Sequence, residues 1–387
     1  MLPFTFTSVT RIVFGRGTFA QLGGIVREFG ARALIVTNAD RSGKRGVIAR
    51  VYAALTEKGV AAEVFAQNGE PTVADIDRGL DEARKFGCDV VVGFGGGAAI
   101  DAAKAIAVLL THGGGALDYM EVVGLGKKFS KAGVPFIAVP TTAGTGAEVT
   151  RNAVVGAPEK QFKASLRGEQ LLARVALVDP ELQTGVSSEV TARTGMDALT
   201  QNIEAYTSNN ANAMSDALAL QGIERAGRGL LRAYKNGSDL DAREDMALSA
   251  LLSGIALTNA GLGVVHAFAA PMGAKYPVPH GTVCAALLPP VIRVNIAALR
   301  AADANHPALA RYAHVAAFLN LGPEADALSA YVENLRRELQ IPGLAKYGLK
   351  TADFAELIPL ARKANNMKFN PATLSEGQLE EILSAAL

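Results

Sequence analysis

The chain has 387 residues, of which 49% are hydrophobic and 19% are charged, and its formal net charge is +1. This length is more than one average domain needs, so we expect two domains. The near-neutral charge provides no general attraction for nucleic acid or for an anionic membrane, and we expect neither as a partner. No signal peptide or run of eighteen apolar residues is seen, and Cys88 and Cys284 lack a CxxC neighbour, which favours a cytoplasmic protein without disulfides.

Short apolar segments alternate with amphipathic ones in the first half of the chain. An alternating, β-branched segment at 4–14 predicts an edge strand or a hairpin. Further strands are predicted at 33–37, 62–65, 89–93, 135–140 and 175–179, with helices at about 44–58, 73–86 and from 98 onward. This alternation predicts an α/β domain with a Rossmann-like, doubly wound parallel sheet, whose ligands bind at the carboxyl ends of the strands.

A glycine triplet links one of these strands to the next helix. Gly95, Gly96 and Gly97 precede a predicted helix that carries Asp101. Glycines allow a close approach to the backbone, and the amides of a helix N-terminus favour a phosphate. Tight turns use glycine as well, so the triplet alone leaves an ordinary turn open.

A second polar loop follows the strand at 135–140 and has the sequence TTAGTGAEVT. The hydroxyl groups of Thr141, Thr142 and Thr145 are donors for phosphate, ribose or a nicotinamide amide. The alternative is a Thr- and Gly-rich loop that only turns the chain.

The pattern changes after residue 183. From Ser188 onward, apolar residues recur at helical spacing in long Ala- and Leu-rich stretches, which predicts an all-helical second domain. We therefore expect an α/β domain at 1–183 and an all-α domain at 184–387.

The second domain contains a candidate metal site. Two of the five histidines, His266 and His280, lie fourteen residues apart, and a predicted helix before them carries Asp197 and Gln201 one turn apart. An Asp and two His suffice to hold a divalent ion and leave a position open for substrate. A single His near an apolar helix is more often packed or exposed, so this pattern alone leaves a structural role open.

The segments around these residues resemble the metal-binding region of the iron-containing (group III) alcohol dehydrogenases. They are GMDALT around Asp197, GLGVVH ending at His266 and PHG around His280, and the match extends along nearly the whole chain. The resemblance implies an ion held by an Asp and three His, at Asp197, Gln201, His266 and His280. Gln201 departs from the family's His, and its carbonyl is a harder and weaker ligand than imidazole. Ala270 is a second departure, at a position where many members carry another His.

The resemblance also implies where the dinucleotide binds. The implied cofactor-binding residues are Asn38, Gly95, Gly96, Gly97, Asp101, Thr141, Thr142, Thr145, Lys163 and Leu182. Members that prefer NAD tend to have an Asp at the position of Asn38, where it repels a 2′-phosphate. Because Asn38 carries no negative charge, and because Arg41, Lys44 and Arg45 are close in sequence, we expect the protein to accept NADPH.

The sequence thus predicts an NAD(P)-dependent, metal-dependent alcohol dehydrogenase that also reduces aldehydes or ketones. Asp197, His266 and His280 would be its catalytic residues, Fe²⁺ or Zn²⁺ its ion, a small alcohol or aldehyde its substrate, and a homodimer its assembly. Three alternatives remain: a metal-free oxidoreductase like the maleylacetate reductases, a lyase like dehydroquinate synthase, and an inactive dinucleotide-binding sensor or scaffold.

Overall fold

The computed structural model describes residues 3–9, 11–38, 46–121, 123–160 and 162–387. Arg41, Lys44 and Arg45, which entered the expectation about NADPH, lie outside the described residues. The chain divides into two compact units. The α/β unit comprises Ser8–Thr142 and Ala147–Thr184, and the helical unit comprises Met1–Thr7, Ala143–Gly146 and Gly185–Leu387.

The α/β unit is built on a six-stranded parallel sheet. The strands of the whole unit are β1 Arg11–Phe14, β2 Arg32–Thr37, β3 Ala61–Ala66, β4 Val90–Gly95, β5 Phe136–Pro140, β6 Asn152–Ala157, β7 Phe162–Arg167 and β8 Val175–Val178. Six of them pair in the order β1-β8-β5-β4-β2-β3, whereas β6 and β7 form a separate antiparallel pair. The predicted doubly wound sheet is confirmed, but the segment at 4–14 forms an edge strand from Arg11 that is parallel to β8, and no hairpin is seen in its described part.

Helices cover both faces of this sheet. They are α1 Leu22–Phe29, α2 Val47–Glu57, α3 Val73–Phe86, α4 Gly97–Leu109 and the short α5 Ala116–Tyr119. Successive residues of a strand point to opposite faces, so Ile35 packs in the core beneath α1 and α2, while Leu34 and Val36 pack in the core beneath α3 and α4. The fully apolar run of β2 follows from this burial on both sides.

The strand order places a switch point between β2 and β4. The chain moves from β2 through α2 to β3 on one side, and then through α3 to β4 on the other side of β2. The helix α2 follows β2 and α4 follows β4, and the two helices lie on opposite faces of the sheet. The loops after β2 and β4 therefore diverge and leave a crevice outside the carboxyl ends of these strands, where sheets of this type bind their ligands. Asn38 directly follows β2, and Gly95 is the last residue of β4.

The helical unit follows the predicted pattern. Its helices are α6 Ser188–Thr207, α7 Ala213–Lys235, α8 Leu240–Ala260, α9 Val264–Lys275, α10 His280–Ala302, α11 Pro307–Phe318, α12 Asp326–Glu338, α13 Phe354–Lys363 and α14 Glu376–Ala385. The side chain of Ser187 accepts a hydrogen bond from the Val190 amide and caps the start of α6.

The helix α10 is the apolar centre of the helical unit. It is long and apolar enough to cross a membrane, but 83% of its most apolar window is buried inside the protein. Val283, Leu287 and Leu288 are fully enclosed in the core of the unit. Burial of this extent identifies α10 as a core helix.

Candidate metal centre and dinucleotide site

Four side chains of the helical unit bring donor atoms to one point. They are Asp197 from α6, His266 from α9, and His280 and Cys284 from α10, and their donor atoms all lie within 4.8 Å of one another. Asp197 Oδ1 is 3.3 Å from His266 Nε2 and 3.6 Å from His280 Nε2. A carboxylate, imidazoles and a thiolate are all donors that bind divalent transition metals, so this cluster fits such an ion.

Two glycines allow the helices to present these donors. Gly261 caps the end of α8 with a φ of +74°, a backbone conformation that residues other than glycine rarely adopt. The chain turns at this glycine and enters α9, which carries His266. At Gly281, a Cβ atom would lie 2.0 Å from the carbonyl oxygen of Arg193, so only glycine lets the start of α10 approach α6 this closely. His280 is the first residue of α10, and Cys284 lies one turn later on the same face.

Glu204 holds the ring of His266 from behind. Its Oε2 lies 2.6 Å from His266 Nδ1, and its Oε1 accepts from the Val265 amide at 2.8 Å. A carboxylate on one ring nitrogen fixes the orientation of the imidazole and directs the other nitrogen, Nε2, to the centre. Glu204 was not predicted from the sequence, although it follows Asp197 by seven residues and therefore lies two turns along the same helix.

The charges of the cluster stabilise one another. Burial alone would raise the pKa of Asp197, but His280 and His266 outweigh burial and lower it. Desolvation opposes protonation of His280, but Cys284 and Asp197 outweigh it and raise the pKa of His280 to about 9. The side chain of His280 is 40% exposed. Burial likewise opposes protonation of His266, whose pKa Cys284, Asp197 and Glu204 hold well above its ordinary value. A cation that binds here has to displace protons from the imidazoles.

Gln201 differs from its expected role as a ligand. Its Nε2 donates to Asp197 Oδ1 at 3.3 Å, and its Oε1 accepts from Ser253 Oγ at 2.7 Å. The i, i+4 spacing brings Gln201 next to Asp197. However, the Asp197 carboxylate accepts from the amide nitrogen of Gln201, and the hydroxyl of Ser253 donates to its carbonyl oxygen. In this arrangement Gln201 orients Asp197 and directs no oxygen to the centre.

In the α/β unit, the glycine loop lies at the switch point of the sheet. Gly96 precedes α4, whose first residue is Gly97, and Gly95 has a φ of +156°. Asn38 Oδ1 accepts from the Gly96 amide at 3.3 Å, while its Nδ2 donates to the Gln67 carbonyl at 3.1 Å. The structure thus brings Asn38 and all three glycines together beside the N-terminus of a 13-residue helix.

Thr141, Thr142 and Thr145 of the second loop are divided between the two units. Thr141 and Thr142 belong to the α/β unit, and the Thr141 amide donates to the Gly95 carbonyl at 2.9 Å. A Cβ atom on Gly96 would lie 3.4 Å from Thr142 Oγ1, so this hydroxyl adjoins the glycine loop. Thr145 belongs to the helical unit.

Asp101, Lys163 and Leu182 have structural partners within the α/β unit. The carboxylate of Asp101 accepts from the Val154 amide at 3.0 Å and thereby attaches β6 to α4. Lys163 forms an ion pair with Glu70. The side chain of Leu182 packs against the core beneath α1 and α2. Each of the three therefore has a partner within the α/β unit itself.

The chain matches known protein families over most of its length. Residues 9–180 match the family "iron-containing alcohol dehydrogenase", and residues 191–387 match the "Fe-containing alcohol dehydrogenase family, C-terminal". The chain is 35% identical to alcohol dehydrogenase 4 of Schizosaccharomyces pombe over 380 residues, which cover 97% of this chain and 87% of the relative.

Two solved structures have the same fold over the whole chain. A 1,3-propanediol oxidoreductase has a TM-score of 0.92 and 33% identity, with 100% of both chains covered. A sulfoacetaldehyde reductase from Bifidobacterium kashiwanohense in complex with NAD⁺ has a TM-score of 0.89 and 27% identity, with 100% of this chain and 99% of that chain covered. The prediction of an oxidoreductase acting on CH–OH groups is confirmed, and the metal-free alternative is not favoured. The chain belongs to the iron-containing alcohol dehydrogenase family.

Proposed function

We propose that the protein oxidises a small alcohol, or reduces the corresponding aldehyde or ketone, with NAD(P) and a divalent ion, Fe²⁺ or Zn²⁺. The observation that carries the proposal is the convergence of Asp197, His266 and His280 on one point. The all-helical domain at 184–387 would present the ion, and the α/β domain at 1–183 would bind the dinucleotide.

The side chains of the site prepare it for a cation and a substrate. When bound, a divalent cation supplies Lewis acidity, which lowers the pKa of an alcohol and polarises a carbonyl. The carboxylate of Glu204 keeps a proton on His266 Nδ1 and so leaves Nε2 as a lone-pair donor. Gln201 orients the carboxylate of Asp197. The side chain of His280 is 40% exposed, against 6% for His266 and 3% for Asp197, so His280 would be the ligand most open to solvent.

The nicotinamide cofactor would exchange the hydride with the substrate carbon. Its binding in the α/β domain is supported by the glycine loop, which lies at a topological switch point with helix amides behind it. Asn38 carries no charge that would repel a 2′-phosphate, which supports the use of NADPH beside NADH. The NAD⁺ complex of the related sulfoacetaldehyde reductase supports NAD as a cofactor.

The proposed working form is a cytoplasmic homodimer. The family resemblance supports the dimer, and the free thiols of Cys88 and Cys284 accord with a reducing compartment. Light scattering coupled to size-exclusion chromatography tests the assembly, since a monomer would contradict it.

Assays of a panel of alcohols with NAD⁺ or NADP⁺, and of aldehydes with NADH or NADPH, test the function. Metal content is measured on the same sample. His280→Ala should remove both bound metal and turnover. His306→Asn is a matched control in the helical unit, because His306 only caps α11 and Asn caps a helix equally well. Full activity after exhaustive chelation, together with an active His280→Ala variant, would contradict the proposal.

A further inference from the structure

Cys284 lies inside the candidate metal centre although the family's set of one Asp and three His does not include it. We propose that Cys284 Sγ is the fourth protein ligand of the ion and substitutes for the His that is missing at Gln201. This inference rests on the proposed metal-dependent function. It concerns the same site and assigns it a different donor set: one carboxylate oxygen, two imidazole nitrogens and one thiolate sulfur.

Four separations between the donor atoms are closer to tetrahedral than to right-angled coordination. With bonds of about 2.0–2.1 Å to nitrogen and oxygen and about 2.3 Å to sulfur, tetrahedral angles separate N and O donors by about 3.3 Å, and S and N donors by about 3.6 Å. Right angles would give separations of only about 2.9 and 3.1 Å with the same bonds. The observed separations are 3.3 and 3.6 Å between Asp197 Oδ1 and the two histidine nitrogens. Cys284 Sγ lies 3.8 Å from His266 Nε2 and 3.7 Å from His280 Nε2.

The helix α10 fixes Cys284 in this position. His280 and Cys284 are four residues apart, so their side chains lie on one face of the helix, one turn apart. Cys284 is fully buried, and its sulfur has the donor atoms of Asp197, His266 and His280 around it. The other cysteine, Cys88, lies in the α/β unit, where its thiol donates to the Val90 carbonyl.

In this arrangement Gln201 does not offer its carbonyl oxygen to the centre. Rotation of its amide would direct its carbonyl oxygen at the Asp197 carboxylate and would break the hydrogen bond from Ser253. The thiolate therefore provides the additional donor that a third imidazole would otherwise supply. Because thiolate is a soft ligand, this set favours Zn²⁺ over harder ions such as Mg²⁺ and Mn²⁺. Zinc sites can expand to five donors, so four protein ligands still leave room for a substrate.

Cobalt spectroscopy of the full-length protein tests the ligand directly. Co²⁺ bound to a thiolate shows an intense sulfur-to-metal charge-transfer band in the near ultraviolet, which nitrogen and oxygen ligands do not produce. We expect this band in wild-type protein and in Cys88→Ser, and its loss in Cys284→Ser. A wild-type Co²⁺ complex without the band would overturn the proposal, even if Cys284→Ser did not fold.

Zinc affinity provides a second measurement. In competition with a chelator, Cys284→Ser should bind Zn²⁺ at least about tenfold more weakly than wild type, and Cys88→Ser should bind it equally well. Unchanged Zn²⁺ affinity in a folded Cys284→Ser variant would overturn the proposal.

The outcomes separate this inference from the proposed function. If the metal-loaded protein oxidises alcohols with NAD(P) but shows no charge-transfer band, the function stands and Cys284 is not a ligand. If the protein binds Co²⁺ with the band but catalyses no oxidation or reduction across the panel, Cys284 is a ligand and the function is wrong.

Discussion

Glu204 Oε2 and His266 Nδ1 lie 2.6 Å apart, and both groups are buried in the helical unit. The same carboxylate accepts from the Val265 amide through its other oxygen. Both contacts need an acceptor, and a carboxylate provides two. Glu204 therefore fixes the ring of His266 and the start of α9 at the same time.

Glu204→Gln should lower metal affinity about 10- to 100-fold, the usual cost of losing a partner behind a metal-binding histidine. The amide offers one acceptor oxygen, so either His266 or Val265 loses its partner. Competition with a chelator measures the change. Glu189→Gln is the control, because Glu189 lies on the same helix with a side chain that is 83% exposed. Equal metal affinity in Glu204→Gln and wild type would mean that the carboxylate does not support the ligand.

Gly96→Val should weaken dinucleotide binding by about 1–3 kcal/mol, the typical cost of overpacking. A branched side chain there would press on Thr142, whose Oγ1 would be 3.4 Å from the new Cβ, and would cover the N-terminus of α4. Titration of NADH by fluorescence measures the loss. Gly24→Val is the control, because a Cβ on Gly24 meets no atom within 4 Å. Equal NADH affinity in folded Gly96→Val and wild type would show that the cofactor phosphates bind elsewhere.

Wild-type protein should accept NADPH, and Asn38→Asp should shift the preference toward NADH. The substitution adds a negative charge after β2 and replaces the donor that Asn38 Nδ2 offers to the Gln67 carbonyl. The ratio of kcat/KM for the two cofactors checks both statements. If wild type prefers NADH by about a hundredfold, or about 2.7 kcal/mol, the inference from Asn38 is wrong.

Glu148→Gln should change the pH dependence of stability. Burial raises the pKa of Glu148 from 4.5 to about 7, and burial lowers the pKa of its neighbour Lys104 to about 8. Since folding raises the pKa of Glu148, its contribution to stability is fully present below about pH 4.5 and is lost as the pH rises through about 7. A glutamine has no proton to lose, so the variant should gain stability relative to wild type over this window, by on the order of 3 kcal/mol.

Thermal unfolding of wild type and Glu148→Gln at pH 5 and pH 7 measures this effect. The difference in Tm between variant and wild type should grow in favour of the variant at pH 7. The exposed Glu159 provides the control substitution Glu159→Gln. The same Tm difference at both pH values would show that Glu148 is ionised throughout the range.

The sequence was sufficient for features that depend on local pattern. The central residues 33–36 of β2 are all apolar, and the helix predicted at 73–86 agrees with α3. The segments around Asp197, His266 and His280 resemble one family. The strands β6 and β7 were missed although FKASLR in β7 alternates strictly between apolar and polar residues, and the two strands pair with each other outside the main sheet.

The contacts of individual side chains could not be predicted in the same way. Gln201 was expected to direct its carbonyl to the ion, but the competition between Asp197 and Ser253 for its amide depends on α8, which is distant in sequence. Cys284 was considered only for a disulfide and was not predicted as a ligand. Its spacing of four residues from His280 was the available signal, and it becomes informative only once α6 and α9 place their donors beside α10.

The donors of the metal centre come from three helices that are far apart along the chain. Asp197 and His266 are separated by 69 residues, and His266 and Cys284 by 18. An ion bound to all of them would act as a cross-link between α6, α9 and α10, with about 4 kcal/mol of stabilisation when free metal exceeds its Kd a thousandfold. Preparations made with strong chelators should therefore lose heat resistance as well as activity, and hydrogen exchange should locate the loosened backbone at the starts of α9 and α10.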